Sequence, residues 1–435
     1  MRKERLALII TLLISLVIGV GFSAAMPVFP YLVLALKGIL TQLPELTQGA
    51  IAAHEGAVEF GALMAAFMLF RAPIAAFSGT LSDLLGRKTL ILLGMIIYTI
   101  TSLGMLLVDD VLGLIALRAL TGVASGITWP VAEAYLADVT TPQERGRAIS
   151  LYIMTQNLGD VVGPGIGAAI YKLYVQMFGP QDYLFALKTP FLVMGGLSLV
   201  ATALAVMLPK VVPTVKGVTS GLREIASIIR SLPRSVAISI KAIYVNGVGN
   251  GLAMGIMNTA LIVYAVERIV KDPAIIGLAF TIMGLSALPT TFLSGWLSDR
   301  FERRKPFVLA SYLVSRPVIF LMPFLADVTS FALALIAFMM AFSIGMPIMR
   351  ALQSELVGQE IRGTVFGVQQ LFFNVGVVVG AMAGSYLVSV YAPTTVRMLG
   401  LELTGYVIPF WAAGVITVLT TVIFALYVKE PEVRQ

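Results

Sequence analysis

Twelve apolar runs, most of them about 20 residues or longer, leave this chain one solvent in which to fold, a lipid bilayer. A helix of that length crosses the roughly 30 Å hydrocarbon core and satisfies its own backbone polar groups there. The runs lie at approximately 6–35, 56–78, 89–108, 111–136, 148–177, 183–208, 237–266, 274–297, 306–326, 330–352, 363–391 and 403–428. Only 12% of the residues are charged, against roughly 25% in a soluble chain, so no water-facing surface can be covered. The first run, Leu6 to Leu36, is too long for a signal peptide and lacks a small-residue cleavage site.

Several chemistries are excluded at once. There is no cysteine, so disulfides, thiolate catalysis and Cys-ligated metal drop out. The single histidine, His54, stands at the outer end of span 2 and cannot form a His cluster. No Gly-Lys-Ser or Gly-Lys-Thr occurs, which removes pumps driven directly by ATP. No enzyme activity, cofactor or metal is expected. The net charge of +7 could suggest nucleic acid, but the basic residues sit in loops between apolar runs.

Those loops orient the chain. Arg2, Lys3, Arg5, Arg87, Lys88, Arg145, Arg147, Lys210 to Arg234, Arg300 to Lys305, Arg362, Lys429 and Arg434 fall on one side. Only Lys37, Arg268, Lys271 and Arg397 fall on the other. The positive-inside rule therefore places both termini in the cytoplasm of a multi-pass cell-membrane protein. It also places there a linker at 209–236, in which Leu222, Ile225, Ile228, Ile229 and Leu232 recur at helical spacing, as in an interfacial amphipathic helix.

The chain is duplicated. Gly79 to Lys88 reads GTLSDLLGRK, and Gly295 to Lys305 reads GWLSDRFERRK, 216 residues on. Gly79 matches Gly295, Asp83 matches Asp299 and Arg87 matches Arg303 in this reading. Downstream, Pro130, Asp138, Arg145, Gly146, Asn157, Gly159, Gly163 and Gly167 recur as Pro347, Glu355, Arg362, Gly363, Asn374, Gly376, Gly380 and Gly384, each 217 residues on. Six spans per half, an even number, make the repeats parallel, a plan used by transporters. The expected fold is all-α: two parallel pseudo-repeated six-helix bundles, 1–208 and 237–435, joined by the linker 209–236.

These residues resemble the major facilitator superfamily along the whole chain. GTLSDLLGRK is similar to that family's signature after span 2, apart from Leu84 where a basic residue is common. Glu302 stands in the second copy where Gly86 stands in the first. Arg118 to Gly126, RALTGVASG, resembles the span-4 signature. Gly159 to Gly167, GDVVGPGIG, resembles the span-5 signature of the drug/proton antiporters, with Ala168 replacing a second glycine. The resemblance implies a cytoplasmic latch of Gly79, Asp83, Gly86, Arg87, Lys88 and Asp138. Its echo is Gly295, Asp299, Arg303 and Glu355. It implies a secondary transporter working as a monomer, with protons, a small molecule and the lipid bilayer as partners and no nucleic acid. Drug or organic-compound efflux, nutrient symport and an uncoupled lipid-translocating or channel-like protein all remain open.

Charges inside spans are expensive and mark function by default. Asp160 lies 12 residues into the span at 148–177, and Arg118 seven into the span at 111–136. At 1.5 Å per residue and a core of about 30 Å they come about 12 Å and about 10 Å from the outer face, so they are expected to pair, either to couple protons or as a permanent structural ion pair, with Lys188 as a rival partner. Arg71 and Arg316 sit near mid-membrane, beside Pro73 and Pro317. Each can meet an anionic substrate or cap carbonyls that the proline frees. Gly163, Pro164 and Gly167 are expected to bend span 5, together with Gly159. Asn157, Asn246, Asn250, Gln370 and Asn374 are candidates for the cavity wall or for interhelical hydrogen bonds. Glu133 is expected near the latch, and Glu59 at the outer rim.

Overall fold

The computed structural model describes residues 2–211, 232–301, 303–358, 361–398 and 400–430, and not the side chains at 2–3, 142, 292, 295–299 and 301. The expected linker helix, Glu302, and the side chain of Asp299 with its neighbour Gly295 lie outside what is described.

The first span is made of α1 (Arg2–Ala24) and α2 (Phe29–Leu36), separated by a turn at Met26–Val28. Pro27 and Pro30 lack the N–H groups that would continue α1, so the apolar run breaks there. The next helices are α3 (Ala57–Leu85), α4 (Arg87–Leu107), α5 (Val111–Val139), α6 (Pro142–Phe178) and α7 (Tyr183–Met207). Then come α8 (Arg234–Tyr264), α9 (Pro273–Phe301), α10 (Lys305–Leu321), α11 (Val328–Leu356), α12 (Arg362–Tyr391) and α13 (Val407–Tyr427). Eleven segments are long and apolar enough to cross a membrane by length and composition. Helix α6 is the twelfth; its PQERGR start and its Gln156, Asn157 and Asp160 dilute its apolar character. A short antiparallel hairpin, β1 (Thr395–Met398) with β2 (Leu401–Thr404), joins α12 to α13 and is the one non-helical element among the described residues. Asp110, Asp182 and Asp327 cap the starts of α5, α7 and α11 by accepting from backbone N–H groups in the first turn.

The Cα positions form two compact units, Met1–Thr219 with Val270–Thr281, and Ser220–Ile269 with Ile282–Gln435. In the first unit α1 packs on α6 and α7, α3 on α5, and α4 on α5 and α7. In the second unit α8 packs on α12 and α13, and α10 on α11 and α13. The duplication thus recurs as packing: α1–α6 corresponds to α8–α12, and α4–α7 to α10–α13. Each unit has its own buried cluster, around Leu90, Val131, Tyr135 and Leu136 in the first and around Ile243, Val308, Leu352 and Phe424 in the second.

The glycines of the span-5 signature pack one helix on another. A Cβ on Gly159 would stand 2.7 Å from the Leu16 carbonyl oxygen and 2.8 Å from Val20 N. Its partner in the repeat, Gly376, would meet Val248 O at 2.6 Å and Leu252 N at 2.9 Å. Gly163 and Gly167 face the α1 backbone in the same manner, at Val20 and Ala24. These glycines seat α6 against α1 backbone to backbone, and Ser23 Oγ donates across the seam to Gly159 O at 3.1 Å. Helix α6 runs unbroken through Pro164, whose carbonyl lies against Gly277 within the first unit. Lys172 holds the same segment at its other end, with Asp272 at 2.6 Å and Glu45 at 3.2 Å.

Candidate functional site

Three polar clusters stand out in a molecule with few charges. The first is at the α3–α4 turn. Gly86 has φ +88°, a conformation open to glycine at little cost, and it reverses the chain so that Arg87 turns back on α3. The Arg87 guanidinium is buried and binds Asp83 at 2.8 Å and Asp138 at 3.1 Å. It also donates to Ser82 Oγ and, at 3.4 Å, to the Gly79 carbonyl. Lys88 donates to the Val206 carbonyl at 2.5 Å, tying α4 to α7. A Cβ on Gly79 would meet nothing within 4 Å, so this glycine does not serve close helix approach among the described residues.

The second copy is built on Arg304 rather than Arg303. Arg304 binds Glu355 at 2.9 Å, whereas Arg303 is exposed. The reason is arithmetic. GWLSDRFERRK is one residue longer than its partner, so the offset becomes 217 past the turn, and Arg87 and Asp138 map onto Arg304 and Glu355. Glu430 closes this end by accepting from the backbone N–H groups of Arg304 and, at 3.0 Å, of Lys305, at the start of α10.

The second cluster lies in the middle of the first unit, and it corrects the expected ion pair. Arg118 does not pair with Asp160. Its guanidinium is buried and stacks on Phe22 at 4.4 Å, Phe67 at 4.6 Å and Phe29 at 4.8 Å, with Met26 Sδ at 3.5 Å from Nη2. The depths do not match. Asp160 is the central residue of α6, about 27 Å from either end, whereas Arg118 is about 10 Å from the start of α5. Lys188 is not its partner either: Nζ binds the Val108 carbonyl at 2.7 Å and Asp109 at 3.5 Å. Arg71 is the central residue of α3, as Asp160 is of α6. Trp129 packs on the buried Tyr152 with ring centroids 5.9 Å apart. Asp160 and Asn157 are exposed. Glu133 acts on Tyr152, and Glu59 pairs with Lys37 at 2.6 Å.

The third cluster is in the second unit. Asn246 and Asn250, one turn apart on α8, are joined by a 2.8 Å hydrogen bond. Arg316 Nη2 donates to Asn250 Oδ1 at 2.7 Å, so this arginine serves an amide rather than a carbonyl freed by Pro317. The Tyr312 hydroxyl donates to Asn246 Oδ1 at 2.7 Å, and the Arg316 guanidinium lies 4.1 Å over the Tyr312 ring. Tyr312 was not singled out from the sequence, although its spacing of four from Arg316 repeats that of the two asparagines. Gln370 and Asn374 bond to each other at 3.0 Å along α12, apart from this network.

Known proteins of the same build bear on these clusters. Two solved structures superpose over the whole chain. A bacterial homologue of the human lysosomal transporter Spinster has a TM-score of 0.73 at 16% identity, covering 96% of each chain. The D-xylose-proton symporter has 0.71 at 14%, covering 100% of each. Among sequences, the quinolone resistance protein NorA of Staphylococcus aureus (strain COL) is 24% identical over 357 residues, 80% of this chain and 86% of that protein. Multidrug resistance protein 2 of Bacillus subtilis (strain 168) is 24% identical over 362 residues, 81% of this chain and 86% of that one. The pattern of the Major Facilitator Superfamily matches residues 11–268 and 243–435. With two repeated six-span units in one membrane-embedded chain, this protein is a transporter belonging to the Major Facilitator Superfamily.

Proposed function

We propose that the protein is a secondary active transporter that expels drug-like organic compounds in exchange for protons, by alternating access of its two six-helix bundles. The support is the relatives named for quinolone and multidrug resistance, which align over most of the chain. Asp160 is the residue that carries the proton. It stands at the midpoint of α6, a depth in the membrane at which a carboxylate must be neutral or compensated. Arg71 compensates it in one state, and a proton does so in the other. Purified protein in proteoliposomes should move neutral and zwitterionic aromatic dyes only when a pH gradient is imposed, and a protonophore should stop it. Flux that ignores the gradient sinks the exchange reading; gradient-driven inward flux of sugars or organic acids alone replaces it with nutrient symport.

In this reading the protein works as a monomer. Both termini and the 209–236 linker face the cytoplasm, and a terminal tag labelled from outside intact cells would refute that placement. The Arg87–Asp83–Asp138 cluster, with Arg304–Glu355 as its counterpart, is then the cytoplasmic latch that holds one access state closed. Asp83→Asn removes one of the two acids that bind Arg87 and biases the equilibrium between states, not the binding site. It should lower turnover about tenfold and change substrate affinity less than about twofold. Unchanged turnover at normal expression leaves the turn as a topology marker.

A further inference from the structure

The Arg316 cluster holds a positive charge with no negative partner. Arg316 is 11 residues past the start of α10, about 16 Å along the helix and so near the middle of the bilayer core. Its side chain is 6% exposed. Among the described residues of 282–428 the acids are Asp299, Asp327, Glu355 and Glu402, the first three within three residues of a helix end and Glu402 on the β1–β2 hairpin. No ion pair to Arg316 occurs among the described residues. What surrounds it is neutral: Asn250 Oδ1 at 2.7 Å, the Tyr312 ring at 4.1 Å, and Asn246 one turn away on α8. Two donors are left over. Arg316 Nε and Asn246 Nδ2, both buried, have no hydrogen-bond partner.

A buried guanidinium is too costly to maintain without a purpose, and a leftover donor on its planar fork has a definite complement. The leftover Nε–H and the leftover Asn246 amide N–H can both be taken up by the two oxygens of a carboxylate, which also supplies the missing charge. The flat Tyr312 ring beneath the guanidinium and the amides of Asn246 and Asn250 hold the fork in place, so little side-chain entropy is lost on binding. The same cluster rejects cations by repulsion.

We propose that Arg316, with Asn246, Asn250 and Tyr312, is a binding site for the carboxylate of an anionic or zwitterionic aromatic compound. The inference gives the substrate class for the export reading above and rests on it for its physiological sense, but binding itself requires neither export nor protons.

The test is equilibrium binding to detergent-purified protein. The probes are 2-naphthoate and 4-phenylbenzoate, each compared with its uncharged methyl ester. The wild type should bind each acid at least about tenfold more tightly than its ester. Arg316→Gln should erase that preference and leave ester affinity within about threefold, because it removes the charge and keeps a polar planar end on a shorter side chain. Arg316→Lys, which keeps the charge but not the fork, should restore part of the preference. Equal affinity of the wild type for acid and ester, binding of none of the four, or a preference that survives Arg316→Gln overturns the site. A protein that prefers acids through Arg316 yet shows no gradient-driven flux retains this site and loses the export reading. One that exports dyes with no acid preference does the reverse.

Discussion

Asp160→Asn is expected to abolish concentrative transport driven by a pH gradient while leaving downhill substrate exchange within about twofold of wild type. The asparagine has nearly the same shape and keeps the hydrogen-bonding edge, but it cannot take up or release a proton. Among the described helices Asp160 is the one acid at the midpoint of a span, 18 residues from either end of α6. Glu59, Glu133, Asp138 and Glu355 all stand within six residues or so of a helix end. A group in Asp160's place can change charge only together with a change in what surrounds it, which is what coupling requires. Arg71 is the positioning partner, so Arg71→Gln should shift the pH at which transport is half-maximal, while Asp160→Asn removes the pH dependence altogether. Proteoliposome flux with and without a gradient measures both. If the asparagine protein still concentrates substrate against its gradient, the proton passes elsewhere.

Gly159→Val and Gly376→Val should each lower the apparent melting temperature by about 5 °C or more, or eliminate folded protein altogether. Each introduced Cβ would fall under 3 Å from backbone atoms of the facing helix, Leu16 and Val20 in one unit and Val248 and Leu252 in the other. Backbone cannot swing aside as a side-chain tip can, so α1 and α6, or α8 and α12, must separate along the whole seam. In lipid that seam is held by close packing, because the hydrophobic effect does not drive one helix against another there. Gly79→Val is the internal control. It carries the same change in a position where a Cβ meets nothing within 4 Å, and it should melt like the wild type. Size-exclusion profiles with fluorescence-detected melting give the comparison. Equal melting of all three variants would show that the glycine seams contribute nothing to stability.

The architecture was legible in the amino-acid order because its causes are local or additive. Length and hydropathy specify a span, whatever it packs against, and an offset that persists from Pro130 to Gly167 reveals the duplication. The glycines at 159, 163 and 167 were visible as a pattern, and their partners by repeat, Gly376, Gly380 and Gly384, show the same seam. Their task was not visible: a glycine that allows a bend and one that allows close approach look identical until the neighbouring helix is in place.

Side-chain partnership depended on what the fold brings together. Arg118 and Asp160 look level when the depth of Asp160 is counted from the inner end against a core of about 30 Å, while α6 with its 37 residues is about 55 Å long and leaves Asp160 about 27 Å from its outer end. The three phenyl rings that receive Arg118 come from Phe22, Phe29 and Phe67, on three segments whose convergence no spacing reveals. A single extra residue moved the second latch arginine from Arg303 to Arg304, since helix phase turns by about 100° per residue and one step points a side chain away. The sequence by itself determined the solvent, the number of spans, the duplication and the identity of the few charges. Tertiary structure alone decided which charge meets which, because an ion pair or a cation–π contact is set by distances of a few ångströms between residues far apart in the chain.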